Sequence, residues 1–149
     1  MRILLLSLLL QPLFIFAQTK PILFPASVDS LLTLSDSLIN HSQLEESVVI
    51  MEHAESLIIK NLGAQSTQYG RFCLQKAKIQ KKKEEYQKAE EWYKKALHTY
   101  EVTVGKYHPE YALALSKTAD FYYYTLHEYE TAEPLYLTAL PILKNAPNA

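Results

Sequence analysis

The chain has 149 residues and a formal net charge of −1, so its length suits one domain and its charge argues against a nucleic-acid partner. A single cysteine, Cys73, excludes an internal disulfide. Eleven tyrosines and only three glycines indicate a helical protein, because tyrosine suits half-buried positions between packed helices.

The first 17 residues have the pattern of a secretory signal peptide. Arg2 gives a positive start, residues 3–16 are mostly apolar, and Ala17 precedes a polar stretch. The apolar run is shorter than the roughly 20 residues of a membrane-spanning helix, although an uncleaved N-terminal anchor is the alternative. We therefore predict an exported bacterial protein, periplasmic or secreted, with no membrane span after signal removal and with a short linker over residues 18–27.

Six helices are predicted after the linker, on the basis of apolar spacing and helix-end residues. Ser27 or Asp29 suits the cap of the first helix, Gly63 and Gly105 suit the ends of the second and fourth, and Pro109 suits the first turn of the fifth. The predicted bounds are 28–40, 43–61, 66–83, 85–104, 109–126 and 128–144.

The first two helices carry the weakest copy of a repeat, which the third and fourth helices show more clearly. Ala89, Tyr93 and Ala96 stand at i, i+4 and i+7, so two small residues and one ring share a helix face. A neighbouring helix can approach such a face closely. Leu44, Ser47, Met51 and Ala54 match Tyr86, Ala89, Tyr93 and Ala96 at an offset of 42.

The third helix also carries the densest charge cluster and the only thiol. Lysines are concentrated between Lys76 and Lys83, and we interpret them as a solvated face rather than a docking patch. Cys73 falls on the expected core side, where a thiol is unreactive.

The last two helices repeat the pattern with one residue added. Ala132, Tyr136 and Ala139 follow their counterparts at an offset of 43, whereas Gly105 follows Gly63 at 42. The extra residue is therefore expected in the turn near Leu126. Pro141 is expected to kink the last helix or to end it near Leu140.

The pattern resembles tetratricopeptide repeats of the kinesin-light-chain type, which have a period of about 42 residues. The third copy carries it best, through the run from Gly105 to Ala112 and the later run from Tyr129 to Leu140. Lys76 and Thr118 depart from the leucine usual in this family. The resemblance implies an all-α, right-handed α-solenoid of about three helical hairpins, over residues 28–62, 66–104 and 108–144, with a tail at 145–149.

The resemblance also implies a concave groove lined by the first helix of each hairpin. We expect it to be acidic at one end, basic in the middle and aromatic at the other. We also expect it to bind a protein or peptide segment, and its basic middle favours an acidic one. Solvated side chains without a partner are the alternative. The implied positions are Asp29, Leu32, Asp36, Ile39 and Asn40, then Arg71, Leu74, Lys78, Lys81 and Lys82, then Leu113, Ser116, Asp120, Tyr123 and Tyr124.

The sequence offers no chemistry for catalysis. None of the five histidines has a His or Cys at the spacing of a metal pair, and no Gly-rich phosphate loop or nucleophile elbow is present. We therefore expect an interaction scaffold that is not an enzyme and needs no metal or cofactor.

We expect no dedicated capping helix after the sixth predicted helix. The last helix can cap itself, or Ile142 and Leu143 can mediate self-association. The alternative function is an N-terminal sensory or regulatory domain of a longer protein with a caspase-like protease or a signalling kinase as its effector.

Overall fold

The computed structural model describes residues 27–146, which form six α-helices and one π-helical segment. The predicted signal peptide, most of the linker and residues 147–149 lie outside the described residues. Each observed helix end lies within one residue of its prediction when the π-helical segment is counted with α5. The helices are α1 Val28–Asn40, α2 Leu44–Asn61, α3 Thr67–Lys82, α4 Tyr86–Thr103, α5 Pro109–Asp120 with its π-helical segment Phe121–Leu126, and α6 Tyr129–Lys144.

Consecutive helices pair as hairpins, and the hairpins stack into an all-α solenoid. The pairs are α1 with α2, α3 with α4, and α5 with α6, and further contacts join α4 to α5 and α3 to the first hairpin. One continuous core runs through the stack. Phe72 packs edge-on against Trp92 at 6.0 Å between ring centroids, and Tyr93 contacts Phe121 at 5.0 Å. Cys73 is buried in this core, as predicted.

Gly70 allows α3 and α4 to approach closely. A Cβ atom at this position would lie 2.8 Å from two ring carbons of Tyr100, which is itself buried. The third hairpin uses another combination at the same positions, because Ala112 replaces the glycine and Leu143 replaces the ring. Glycine is therefore required here by the size of its neighbour rather than by backbone conformation.

The helix ends use the residues that the sequence indicated. The Ser27 hydroxyl accepts a hydrogen bond from the Ser30 backbone N–H at 3.2 Å, and Pro109 occupies the first turn of α5. Gly63 and Gly105 have φ of 79° and 88°, and their N–H groups donate to carbonyls five residues back. These positive φ values explain why glycine follows α2 and α4.

The extra residue of the third repeat lies inside a helix, so its expected location in the turn is wrong. The N–H of Gln43 bonds to the carbonyl of Leu38, and the N–H of Glu85 to that of Gln80, both five residues back. In the third repeat the N–H of Glu128 bonds to Tyr122, six residues back. The added residue widens the last helical turn of α5 into the π-helical segment. The connecting turn that follows has the same form as in the other two repeats.

Pro141 does not end the last helix. α6 continues to Lys144 with Pro141 inside it, so the predicted bound of 144 is confirmed and the alternative end near Leu140 is wrong. Proline lacks an N–H, which leaves the carbonyl of Leu137 without its helical donor. Leu137 and Pro141 are both exposed, so solvent can satisfy that carbonyl and the helix tolerates the proline.

A candidate protein-binding groove

A cavity of about 460 Å³ lies where α1, α3, α4 and α5 meet, and we call it the groove cavity. Seven of the predicted groove positions line it, contributed by the first helices of all three hairpins. The other eight predicted positions do not line it, namely Asp29, Leu32, Ile39, Asn40, Lys82, Ser116, Tyr123 and Tyr124. Its lining residues are Asp36, Arg71, Leu74, Gln75, Lys78, Lys81, Tyr93, Tyr100, Glu110, Leu113, Lys117 and Asp120.

Two predicted groove residues belong to the core instead. Leu32 and Ile39 are fully buried, so the expectation that they face a partner is wrong. α3 packs onto α1 at this point, and the Gln75 side chain donates to the backbone carbonyl of Leu32 at 2.6 Å. Of the five positions implied on α1, only the polar ones, Asp29, Asp36 and Asn40, remain available at this end.

Side chains of α1 already engage the basic residues of α3. Lys78 Nζ lies 2.9 Å from Asp36 Oδ1 and 2.6 Å from Asn40 Oδ1. Arg71 donates to the Thr33 hydroxyl at 2.9 Å and lies 3.8 Å from Asp29. The positive charge expected in the middle of the groove is therefore partly neutralised within the chain.

Lys81 and Lys117 are the other two basic residues that line the groove cavity. Neither forms an ion pair within residues 27–146. Burial lowers the pKa of Lys81, and the Asp120 carboxylate opposes that shift. Asp120 also accepts a hydrogen bond from the Tyr136 hydroxyl at 2.5 Å, which fixes the carboxylate at the α5 edge of the groove cavity.

Sequence reasoning missed the floor of the cavity. Tyr93 and Tyr100 come from the second helix of their hairpin, where the family pattern places core residues, and they are nearly buried. Gln75 is 5% exposed, and its Oε1 has no hydrogen-bond partner within the described residues. The one signal in the sequence for this part of the cavity was Gln75, a polar residue within an apolar stretch of α3.

The aromatic end is separate from the groove cavity. Tyr122 is buried, and its hydroxyl donates to Glu90 Oε1 at 2.9 Å. Tyr123 and Tyr124 are 41% and 70% exposed, and their rings meet at 4.8 Å. Tyr123 lines a second cavity of about 350 Å³ on α6, which we call the end cavity. Its other lining residues are Tyr129, Glu130, Glu133, Tyr136 and Leu137.

A third cavity, of about 700 Å³, lies between the start of α5 and the end of α6. Ile142 lines it together with Tyr107 and Tyr111. Leu143, the other residue expected at a self-association surface, does not line this cavity. Ile142 and Leu143 both pack against the cluster of Ala112, Leu115 and Ala139.

Burial raises the pKa of the Cys73 thiol to about 12, so the thiol is protonated at neutral pH and is a poor nucleophile. Over residues 27–146, no three His, Cys, Asp or Glu side chains are grouped as a metal site. Among the helices described, none is both long and apolar enough to cross a bilayer.

Three successive hairpins repeat at offsets of 42 and 43 residues. A tetratricopeptide repeat model matches residues 70–145, and this match decides the family. The chain belongs to the tetratricopeptide repeat family. The resemblance stated from the sequence is thus confirmed. Tetratricopeptide repeats generally mediate protein–protein interaction and are typically scaffolds without catalytic activity.

A solved structure of another protein has the same fold as this tetratricopeptide repeat protein. The crystal structure of BtubC (BKLC) from P. vanneervenii matches 82% of the chain with a TM-score of 0.69 at 19% sequence identity. The match covers 48% of BtubC, so the chain corresponds to about half of that protein's length. No curated protein sequence matches the chain.

Proposed function

We propose that the chain is an exported scaffold that holds a segment of a partner protein in the groove cavity. The observation that carries the proposal is that cavity of about 460 Å³, lined from all three hairpins. A surface shared by several repeats suits an extended or helical segment rather than a small molecule. The general role of the family in protein–protein interaction supports the same reading.

The lining of the groove cavity indicates the chemistry of the segment. Four basic and three acidic side chains line it, and the two lysines without ion pairs, Lys81 and Lys117, lie on the first helices of neighbouring hairpins. Leu113 lies beside them and is 47% exposed. A segment with one or two carboxylates next to an apolar side chain fits this arrangement, which refines the acidic partner that we predicted.

Export is the second part of the proposal, and it rests on the sequence of residues 1–17. The test is the mass of the native protein purified from its own cells. Cleavage after Ala17 and recovery outside the cytoplasm support export. An intact N-terminus in the cytoplasmic fraction contradicts it.

Site-specific photocrosslinking tests the groove. A photoreactive phenylalanine analogue replaces Leu113 in the groove cavity or, as a matched control, Val102 on α4, which is 50% exposed. We expect a discrete crosslinked partner from position 113 and none from position 102. Adding Lys117→Glu to the position 113 variant should remove the product, whereas Lys60→Glu, an exposed change on α2, should leave it.

Three results would contradict the proposal. They are equal crosslinking from positions 102 and 113, no product from position 113 in cells that contain the protein, and a product that Lys117→Glu does not reduce. Sequencing the crosslinked peptide then tests the charge argument directly, because a segment without Asp or Glu near the attachment point does not fit Lys81 and Lys117.

Self-association at the C-terminal end stays a separate proposal. Ile142 is half-buried and lines the cavity of about 700 Å³, which is large enough to accept side chains from a second copy. Sedimentation equilibrium of the purified chain tests it. A monomer at all concentrations removes the idea, and a dimer that Ile142→Lys dissociates supports it.

A further inference from the structure

The joint between the second and third hairpins shows how a helix docks onto the end of a repeat. Phe121 places its ring against Tyr93 of α4 at a centroid distance of 5.0 Å. The next residue, Tyr122, donates its hydroxyl to Glu90 Oε1 at 2.9 Å. An aromatic residue followed directly by a hydrogen-bond donor therefore packs on one ring and bonds to one carboxylate of the α4 surface.

The same two positions recur on α6, but there they are more exposed. Glu133 and Tyr136 follow Glu90 and Tyr93 at an offset of 43. Tyr93 is only 4% exposed because α5 and its π-helical segment cover it, whereas Glu133 is exposed and Tyr136 half-buried. Both line the end cavity, so this cavity occupies the place that Phe121 and Tyr122 fill one repeat earlier.

We propose that the end cavity binds a helix of a partner protein that presents an aromatic residue followed directly by a basic hydrogen-bond donor. The aromatic ring packs on Tyr136, and the donor bonds to Glu133. Glu130 also lines the cavity, and no basic residue does. Lysine or arginine therefore suits the donor position better than the tyrosine used inside the chain, since a charge-assisted hydrogen bond is stronger.

The charges of the end cavity disfavour a second copy of this chain as the occupant. In a two-fold dimer through this face, Glu130 and Glu133 would approach their own copies. In a head-to-tail arrangement, the positions on α1 that correspond to Phe121 and Tyr122 are Ser37 and Leu38. These offer neither a ring nor a cation, so a second copy of this chain does not supply the complementary helix.

Binding of helical peptides to the purified chain tests the proposal. The probe is a synthetic peptide with the sequence of residues 109–126, held helical by a hydrocarbon staple that replaces Leu113 and Lys117. Both positions are exposed in the chain, so the staple avoids the docking face. Circular dichroism confirms the helicity of each peptide first, and fluorescence anisotropy then gives its affinity.

Two peptide variants separate the ring from the donor. Tyr122→Arg in the peptide should bind about tenfold more tightly than the unchanged probe, and Phe121→Ala in the peptide about tenfold more weakly. Glu133→Gln in the chain should remove most of the gain from arginine. Glu91→Gln, an exposed carboxylate of α4 outside both cavities, is the matched control and should preserve it. A double-mutant cycle then isolates the Arg–Glu133 interaction.

Backbone amide chemical shifts locate the peptide on the chain, and we expect changes in α6. The proposal is overturned if the helical arginine peptide fails to bind at about 1 mM, or if Glu133→Gln acts like Glu91→Gln. Shift changes confined to α1–α4 also overturn it. So does a chain dimer that Glu133→Gln stabilises, because a second copy would then occupy the cavity. None of these outcomes depends on the groove cavity.

Discussion

At the residue scale, small residues decide how closely the helices approach. Gly70 faces the buried ring of Tyr100, whereas at the corresponding place in the third hairpin Ala112 belongs to a cluster against which Leu143 packs. The size of one residue is thus matched by the size of its partner across the hairpin. This matching is invisible to a search for single motifs, because each partner lies about 30 residues away in the sequence.

We expect Gly70→Ala to destabilise the protein by about 1–3 kcal/mol, since the added Cβ lies 2.8 Å from the Tyr100 ring and overpacking outweighs the better helix propensity of alanine. Urea unfolding measures the loss. Combining Gly70→Ala with Tyr100→Leu, which copies the third hairpin, should recover part of it. A fully stable single variant would show that the ring moves freely and that the packing argument is wrong.

Cys73 should react with a thiol reagent only when the protein opens. The thiol is buried, and burial raises its pKa to about 12, so little thiolate exists at neutral pH and the reagent has no access to it. The reaction with Ellman's reagent is followed with increasing urea. We expect its rate to rise together with global unfolding, and rapid labelling of the folded protein would contradict the buried position.

Glu90 makes the stability of the joint between the second and third hairpins depend on pH. The hydrogen bond from Lys94 lowers its pKa most, followed by that from Tyr122. A carboxyl whose pKa is lowered by folding stabilises the protein above its unfolded-state pKa, and that contribution is lost as pH falls through the folded-state pKa. Glu90→Gln should therefore cost about 0.5–1.5 kcal/mol at pH 7 and clearly less at pH 3.

Glu91→Gln serves as the control for this prediction, because Glu91 is an exposed neighbour on the same helix. The unfolding free energy of the Glu91→Gln variant, measured by urea titration at both pH values, should equal that of the unchanged protein. If Glu90→Gln costs the same at pH 3 as at pH 7, the interaction with Tyr122 and Lys94 does not depend on the charge of Glu90.

At the element scale, the sequence predicts the helices well because three copies of one pattern constrain each other. Spacing alone could not locate the added residue of the third repeat. The change of offset from 42 to 43 shows only that this residue lies somewhere between the last position matched at 42 and the first matched at 43. Hydrogen bonding places it between Tyr122 and His127. Likewise, Leu32 and Ile39 were assigned to the groove by position in the family pattern, whereas their burial depends on how α3 crosses α1.

Deleting Tyr124 should restore the 42-residue period and leave the protein folded. Tyr124 is 70% exposed, and without it the last turn of α5 can adopt α-helical hydrogen bonds, which are more favourable than π-helical ones. We expect an unfolding free energy equal to or higher than that of the unchanged chain, measured by urea titration, and unchanged helical circular dichroism.

Deletion of Lys82 is the matched control, because Lys82 occupies the corresponding turn of α3 and is also exposed. α3 has no added residue, so this deletion removes a needed position before the turn at Glu84 and should destabilise the protein clearly. Equal effects of the two deletions would contradict the claim that only the third repeat carries a dispensable residue.

At the scale of the whole molecule, the two ends of the solenoid differ. α1 buries Leu31, Leu32, Ser35 and Ile39 against its neighbours, whereas α6 buries only Ala132 and Ala139. In a repeat array each unit is stabilised by its neighbours, so a terminal helix with two small buried residues is held mainly by its own hairpin. The C-terminal end is therefore the part of the described chain in which a docked helix would add most contact.

Hydrogen exchange should show this asymmetry directly. Backbone amides in α6 should exchange at least about tenfold faster than those in α1, because local opening of α6 exposes little apolar surface and so costs less free energy. Both helices are terminal in the described solenoid, so end fraying alone predicts equal rates. Exchange followed by mass spectrometry on peptides from each helix distinguishes the two cases. A helix that docks in the end cavity should slow exchange in α6 and leave α1 unchanged, since Tyr136 and Glu133 would then be covered as Tyr93 and Glu90 are one repeat earlier.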